Sequence, residues 1–215
     1  ARLMPLTLAV RGKTVYLQAG EAVHCLDRSS GEIRWQADFA KKKQAKPAGK
    51  KAKQNRNALR SAGWSVATLV ACDDLVLWAD GRQLRSLDAA DGSLLWECPC
   101  PPGFKSPNDV FVVNGLVWIG TTFAEGRDIR TGEVKQTNPA TNEVWTVGHH
   151  HRCYRNKATE RFIMTAKRGI EFFDLEGDDH TRNNWIRGVC QYGIMPCNGL
   201  IYAPPHACGC FMEAK

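Results

Sequence analysis

A short repeated pattern constrains this chain more than any other feature. Cys25-Leu26-Asp27-Arg28-Ser29-Ser30-Gly31-Glu32-Ile33-Arg34-Trp35 and Ser86-Leu87-Asp88-Ala89-Ala90-Asp91-Gly92-Ser93-Leu94-Leu95-Trp96 share Asp-x-x-x-Gly-x-x-x-Trp. Arg127-Asp128-Ile129-Arg130-Thr131-Gly132-Glu133-Val134-Lys135 keeps Asp128 and Gly132 without the Trp. Phe173-Asp174-Leu175-Glu176-Gly177 is a weaker fourth copy, with Trp185 eight residues later. The steps between the Asp residues are 61, 40 and 46, and the 61 contains a 17-residue basic stretch whose removal brings it to 44. A unit that recurs every ~40–45 residues is one supersecondary module, which buries its apolar face only by stacking on its neighbours.

Each unit reads as strands joined by tight turns. Thr14–Leu17 and Ala22–Leu26 are β-rich runs around Gly20-Glu21. The same grammar recurs in Asp74–Ala79, Gln83–Leu87 and Ser93–Trp96, and in Val110–Val113 and Leu116–Gly120 around Asn114-Gly115. In the Asp27–Gly31 turn the carboxylate is placed to accept backbone N–H groups, and Gly takes the positive-φ position. Ile33 and Trp35 lie two apart, which by simple alternation puts them on one strand face, with Trp35 and Trp96 packing between neighbouring units. No helical periodicity survives beyond a turn or two. The expectation is an all-β chain, a β-propeller of four-stranded antiparallel blades. About four blades fit residues 1–215, as part of a seven- or eight-bladed ring.

Charge adds one qualification. The net charge is +7, from 29 Lys and Arg against 22 Asp and Glu, but Lys41, Lys42, Lys43, Lys46, Lys50, Lys51, Lys53 and Arg56 supply eight of the positive charges with no acid among them. Without that segment the sum is −1, so the body is nearly neutral. The stretch 41–57 has no apolar face and reads as a flexible basic insertion within a single domain, with a strand ending near Trp35–Phe39 and resuming near Trp64. Its lysines suit an anionic polymer or surface. They lack the interleaved aromatics of a base-stacking platform, so no specific nucleic acid is expected. No apolar run approaches the ~18–20 residues of a membrane span. No signal peptide is visible at Ala1-Arg2-Leu3-Met4-Pro5, and the chain reads as a piece of a longer protein.

The Leu-Asp-x-x-x-Gly-x-x-x-Trp units resemble the pyrroloquinoline-quinone (PQQ)-like propeller repeats of bacterial quinoprotein dehydrogenases and of the outer-membrane assembly lipoprotein scaffold. The first two copies carry the likeness, and the last two lose or displace the Trp. His150–Tyr154, Trp185–Gly193 and Pro196–His206 are similar to segments of large bacterial envelope proteins with PQQ-binding-like propellers. The resemblance implies a WD40/YVTN-like architecture, a periplasmic or secreted location, and partners that are other blades or other proteins.

Nine Cys and six His are the remaining chemistry. Cys-x-x-Cys is absent, which removes zinc-ribbon, thioredoxin and c-type haem signals. His149, His151 and Cys153 alternate along one stretch, and His206, Cys208 and Cys210 along another. In extended segments each set presents soft ligands on one face, so together they form a candidate zinc or copper site, with His151, Cys153, His206 and Cys208 meeting from neighbouring strands. The competing readings are inert buried thiols, or disulfides pairing Cys153 with Cys190 or Cys197 with Cys208. PQQ with calcium needs carboxylate and amide oxygens, and the one such cluster is Glu176-Gly177-Asp178-Asp179-His180 with Asn183 and Asn184, which also fits a plain blade turn. Gly-x-Ser-x-Gly, P-loop and His-Glu-x-x-His motifs are missing. The leading expectation is a non-catalytic propeller scaffold or binding domain. The alternatives are a PQQ- or metal-dependent oxidoreductase and a carbohydrate- or polymer-binding module of a larger enzyme.

Overall fold

The computed structural model describes residues 7–39, 67–101, 108–120, 122–138, 144, 154–190 and 192–205. The basic segment 41–57 and the expected restart near Trp64 lie outside the described residues. Four antiparallel four-stranded sheets follow one another in chain order. Blade 1 is β1 (Ala9–Arg11), β2 (Thr14–Ala19), β3 (Ala22–Asp27) and β4 (Ile33–Asp38). Blade 2 is β5 (Thr68–Cys72), β6 (Leu75–Ala79), β7 (Gln83–Asp88) and β8 (Leu94–Pro99). Blade 3 is β9 (Val110–Val113), β10 (Leu116–Ile119), β11 (Glu125–Asp128) and β12 (Val134–Thr137). Blade 4 is β13 (Lys157–Ala158), β14 (Phe162–Thr165), β15 (Ile170–Asp174) and β16 (Thr181–Asn183). A hairpin, β17 (Met195–Cys197) and β18 (Leu200–Tyr202), repeats the first two strands of a blade.

The first strands β1, β5 and β9 lie beside one another, so they are the inner strands of the array. Each sheet meanders outward from there, which leaves the fourth strand at the rim. Fourth strands end and first strands begin at the end that holds the second-to-third strand turns, the upper end, and the Asp-Gly turns lie at the lower end. The core sits between blades rather than within them. Tyr16, Cys25 and Trp35 of blade 1 pack on Leu69, Val76 and Leu87 of blade 2, and Leu77 and Leu84 of blade 2 pack with Val110 and Val117 of blade 3. Trp78 on β6, which packs toward blade 1, and Trp118 on β10, which packs toward blade 4, are more deeply buried than the motif tryptophans.

The Asp turn is built alike in three blades. Asp27 Oδ1 accepts Ser29 N at 2.8 Å and Ser30 N at 3.2 Å, and Gly31 N closes the turn on Asp27 O at 2.9 Å. Asp128 Oδ1 accepts Arg130 N and Thr131 N in the same way, and Asp88 Oδ1 accepts Ala90 N. In blade 4 the turn is rebuilt. Asp174 accepts Glu176 N and Asp179 N, is paired with Arg161, and its own N–H donates to His180 Nδ1 at 3.0 Å.

One sequence expectation needs correction. Ile33 and Trp35 do not share a face: Trp35 is 9% exposed and Ile33 60%. Cys25 pairs with Trp35 but Leu26 pairs with Ile33, so Arg34 is the extra residue of a β-bulge. Leu95 and Lys135 are the extra residues of the same shift in blades 2 and 3. Bulges in the rim strand bend it and disfavour edge-to-edge pairing with another sheet.

The motif Trp is an inter-blade lock. Trp35 Nε1 donates to Ala89 O at 2.9 Å, and Trp96 Nε1 donates to Ile129 O at 2.9 Å. Each acceptor follows the Asp of the next blade. The ring also lies over that blade's glycine: a Cβ on Gly92 would sit 2.6 Å from Trp35, and one on Gly132 2.7 Å from Trp96. These glycines are thus required twice, by φ of +77° and +73° and by close approach. Trp35 is buried and Trp96 half-buried. At the register of Trp35 and Trp96, blade 3 carries Gln136 and blade 4 Thr181. Gln136 Nε2 donates to Leu175 O at 2.8 Å, so an amide keeps the hydrogen bond without the ring. Trp185, the fourth copy's displaced Trp, falls outside this register and is 72% exposed.

Candidate functional site

The residues that enter the inner strands converge at the upper mouth. Asn108 and Asp109 precede β9, Arg155 and Asn156 precede β13, and Thr68 opens β5. Asp109 is buried. Its Oδ1 receives Arg155 Nη1 at 3.0 Å, and its Oδ2 receives Asn156 N at 2.8 Å and Asn156 Nδ2 at 2.9 Å. Arg155 Nη2 donates to Thr68 Oγ1 at 3.0 Å, so one guanidinium ties blades 2, 3 and 4. Burial pushes the Asp109 carboxyl up to about 6, against the opposing pull of Arg155 and the Asn156 donors. The neighbouring Asn108 is also buried and donates Nδ2 to Cys100 O at 2.7 Å and to Cys100 Sγ at 3.3 Å.

Two more acids at this end, the buried Glu171 and the half-buried Asp80, hold turns. Glu171 accepts Thr165 Oγ1, Lys167 N, Arg168 N and Gly169 N, which closes the β14–β15 turn. Asp80 accepts Arg82 N and Gln83 N at 2.8 Å and pairs with Arg85 Nη1 at 2.8 Å. Burial pushes the Asp80 carboxyl up, but the Arg85, Gln83 and Arg82 donors outweigh it and hold it below the usual carboxylate range. Lower down, β5, β9 and β13 line a cleft of about 640 Å³ reaching Cys72, Val112 and Glu160. At its foot Arg11 pairs with Asp73, and Arg130 grips Asp74 with both terminal nitrogens, linking blades 1 and 3 to blade 2.

The sequence-derived metal ligands His149, His151, Cys153, His206, Cys208 and Cys210 all lie outside the described residues. Among the described residues, no three His, Cys, Asp or Glu side chains converge as a metal would need. The acidic stretch after Asp174 does not fit a quinone-and-calcium site. Asp174 and Asp179 face Arg161, and His180 Nδ1 accepts a backbone N–H, so these groups serve the blade turn. Cys25, Cys98 and Cys100 are free thiols within the core, and burial raises each of their pKa values, which suppresses thiolate chemistry. Asp27, Gly31, Asp88, Gly92, Asp128 and Gly132 shape the turns, and Trp35 and Trp96 the locks.

Sequence reading missed the three-blade tie at the upper mouth. A signal was present: Asn108-Asp109 and Arg155-Asn156 each stand just before an inner strand, one blade apart in the chain.

Residues 4–99 match the family described as outer membrane protein assembly factor BamB, whose repeats are of the PQQ type. No curated protein sequence matches the chain. The crystal structure of BamB from Moraxella catarrhalis is similar at a TM-score of 0.52 and 13% identity, over 85% of this chain and 51% of that one. The quinohemoprotein alcohol dehydrogenase from Comamonas testosteroni is similar at 0.50 and 14% identity, over 92% of this chain and 38% of that one. The chain therefore spans about half the length of the first of these relatives or less, and at such identity the likeness shows the fold alone. Residues 4–99, which hold the first two blades, are thus similar to the BamB family with its PQQ-like repeats, and the four-stranded blades of the described residues have the β-propeller fold.

Proposed function

We propose that this propeller is a non-catalytic scaffold domain of the bacterial cell envelope, which presents its upper end to a partner. One observation carries the reading. The charged groups where the inner strands converge are spent on one another: Asp109, Arg155, Asn156 and Thr68 fasten three blades together. A catalytic mouth instead keeps an acid or base aimed at open space, within reach of a substrate. The BamB family match supports the envelope location. The test is a dye-linked dehydrogenase assay after incubation with PQQ and calcium, using primary alcohols as substrates. The scaffold reading expects no turnover and no retained quinone absorbance after desalting. Quinone-dependent dye reduction overturns it.

The partner's charge follows from the segment that leaves this end. The chain passes Phe39 and re-enters a blade at Thr68, and between them lie the eight positive charges of Lys41–Arg56. An acidic polymer is the partner such a segment attracts, through salt-sensitive binding. Retention on immobilised polyglutamate should fall steeply with salt and should be lost on deleting 41–57. Equal retention of the deletion variant counts against it.

A further inference from the structure

A crevice of about 310 Å³ opens at the upper end between blades 1 and 2, away from the inner-strand mouth. Gln18 lines it from β2, Glu21 from the β2–β3 turn, Phe39 from the exit of β4, and Trp78, Arg82 and Arg85 from blade 2. Arg85 is buried and rigidly mounted. Its guanidinium lies 4.9 Å from the Phe39 ring centroid and 5.1 Å from that of Trp78. Nε pairs with Glu97 at 3.1 Å and Nη1 with Asp80 at 2.8 Å. Nη2 has no acceptor among the described residues, so one edge of a desolvated fork is unspent. Arg82 stands beside it. Its backbone N–H is pinned to Asp80, while its exposed guanidinium has no partner among the described residues.

Two guanidinium edges on an aromatic wall recognise a carboxylate, whose two oxygens match the spacing of their donors. The acids nearby set the limit on ligand charge. Asp80 and Glu97 are already committed to Arg85, but Glu21 lines the crevice with a carboxylate that bonds to no described residue. Glu21 repels a second negative charge and welcomes a hydrogen-bond donor. We propose that this crevice binds a small monocarboxylate that also carries a hydroxyl or amine: the carboxylate sits between Arg82 and Arg85 Nη2, and the donor faces Glu21. The volume lies at the small end of ligand sites, ~300–1,000 Å³, and suits a molecule of a few carbon atoms. The proposal stands apart from the scaffold reading, because the crevice shares no side chain with the three-blade tie.

The experiment is an NMR titration of the full chain. It follows the Trp78 indole N–H, which donates to Gln18 Oε1 at 2.8 Å in the crevice wall and is assigned through Trp78→Phe. The probes are sodium L-lactate, sodium acetate, inorganic phosphate and sodium chloride at matched ionic strength. Lactate is expected to shift the resonance saturably, acetate and phosphate to bind more weakly, and chloride to leave it in place. Arg82→Ala, on an exposed side chain, should weaken lactate about tenfold with the remaining amide spectrum unchanged. Glu21→Gln should erase the preference for lactate over acetate and phosphate. A shift with chloride equal to that with lactate, a non-saturating lactate response, or an Arg82→Ala variant that binds lactate as the parent does overturns the site. Lactate no tighter than acetate in the parent protein overturns the role given to Glu21.

Discussion

Blades 1, 2 and 3 are joined differently from blades 3 and 4. At the first two junctions an indole bridges to the next blade, donating one hydrogen bond and covering a glycine. At the third, Gln136 makes the same hydrogen bond with no ring above it, and Gly177 has only Asp174 Oδ2 near the place of a Cβ, at 3.5 Å. The upper-mouth tie compensates, because Arg155 and Asn156 of blade 4 hold Asp109 of blade 3. All three junctions thus carry an ion pair, but the first two add exposed pairs, Arg11–Asp73 and Arg130–Asp74, to apolar burial and an indole hydrogen bond, while the third relies on the buried Asp109. Burial makes the third junction the most sensitive to pH near neutrality.

The sharpest way to break this comparison is to remove the indoles. Trp35→Ala and Trp96→Ala should each cost ~3–5 kcal/mol in urea-induced unfolding, as for other large buried aromatics. The more buried Trp35 should sit at the upper end of that range. A loss under ~1 kcal/mol at both sites would show that the ring is not what joins the blades.

Asp109 tests the polar junction. Its carboxyl titrates at about 6 in the folded protein, above the ordinary value of 3.8. A raised carboxyl pKa means the folded state holds its proton more tightly than the unfolded chain. The associated stability is fully present below about pH 4 and is lost as pH rises through 6, by up to ~3 kcal/mol. Asp27 runs the other way. The Ser29 hydroxyl and then Arg34 hold it well below the usual range, so its contribution is lost only as pH falls under about 4. Urea midpoints between pH 4 and 7 therefore isolate Asp109. The parent should lose stability across that range and Asp109→Asn should stay flat. An unchanged slope in the variant would assign the effect to another group.

The glycines offer a smaller, internally controlled contrast. Gly92→Ala strains a positive φ and drives a methyl into Trp35, so a loss of ~2–4 kcal/mol is expected. Gly31→Ala has the same strain, at φ of +75°, with nothing within 4 Å of the new methyl. It should cost only ~1 kcal/mol. Equal losses would mean that the Trp yields freely to the added carbon. Gln136→Ala should be the mildest change, ~1 kcal/mol for one lost hydrogen bond to Leu175 O. Calorimetry of the three variants would rank them.

The fold was legible because its evidence is local. Asp-x-x-x-Gly encodes a turn through one carboxylate and one positive-φ residue, both within five positions, and its recurrence counts the blades. Alternation located β2–β4, β6–β8, β9 and β10 for the same reason. The Ile33–Trp35 face was misread because a bulge depends on which residue of the partner strand each one opposes, and a single strand carries no record of that. Trp78 and Trp118 were placed on strands without their near-complete burial, since burial depends on the neighbouring blade.

What the sequence by itself determined is the module: all-β, four blades, turns at Asp27, Asp88, Asp128 and Asp174, and a nearly neutral body with its basic charge confined to one segment. What only the tertiary structure decided is how modules join and where polar groups meet. Gln136 took the place of a Trp, Asp109 met Arg155 across 46 residues, and Arg82 and Arg85 of blade 2 came to face Glu21 of blade 1. Those pairings depend on distances between chain segments far apart in sequence. Hydrogen bonds and ion pairs act over a few ångströms of space, so the packing of blades selects partners that spacing along the chain does not reveal.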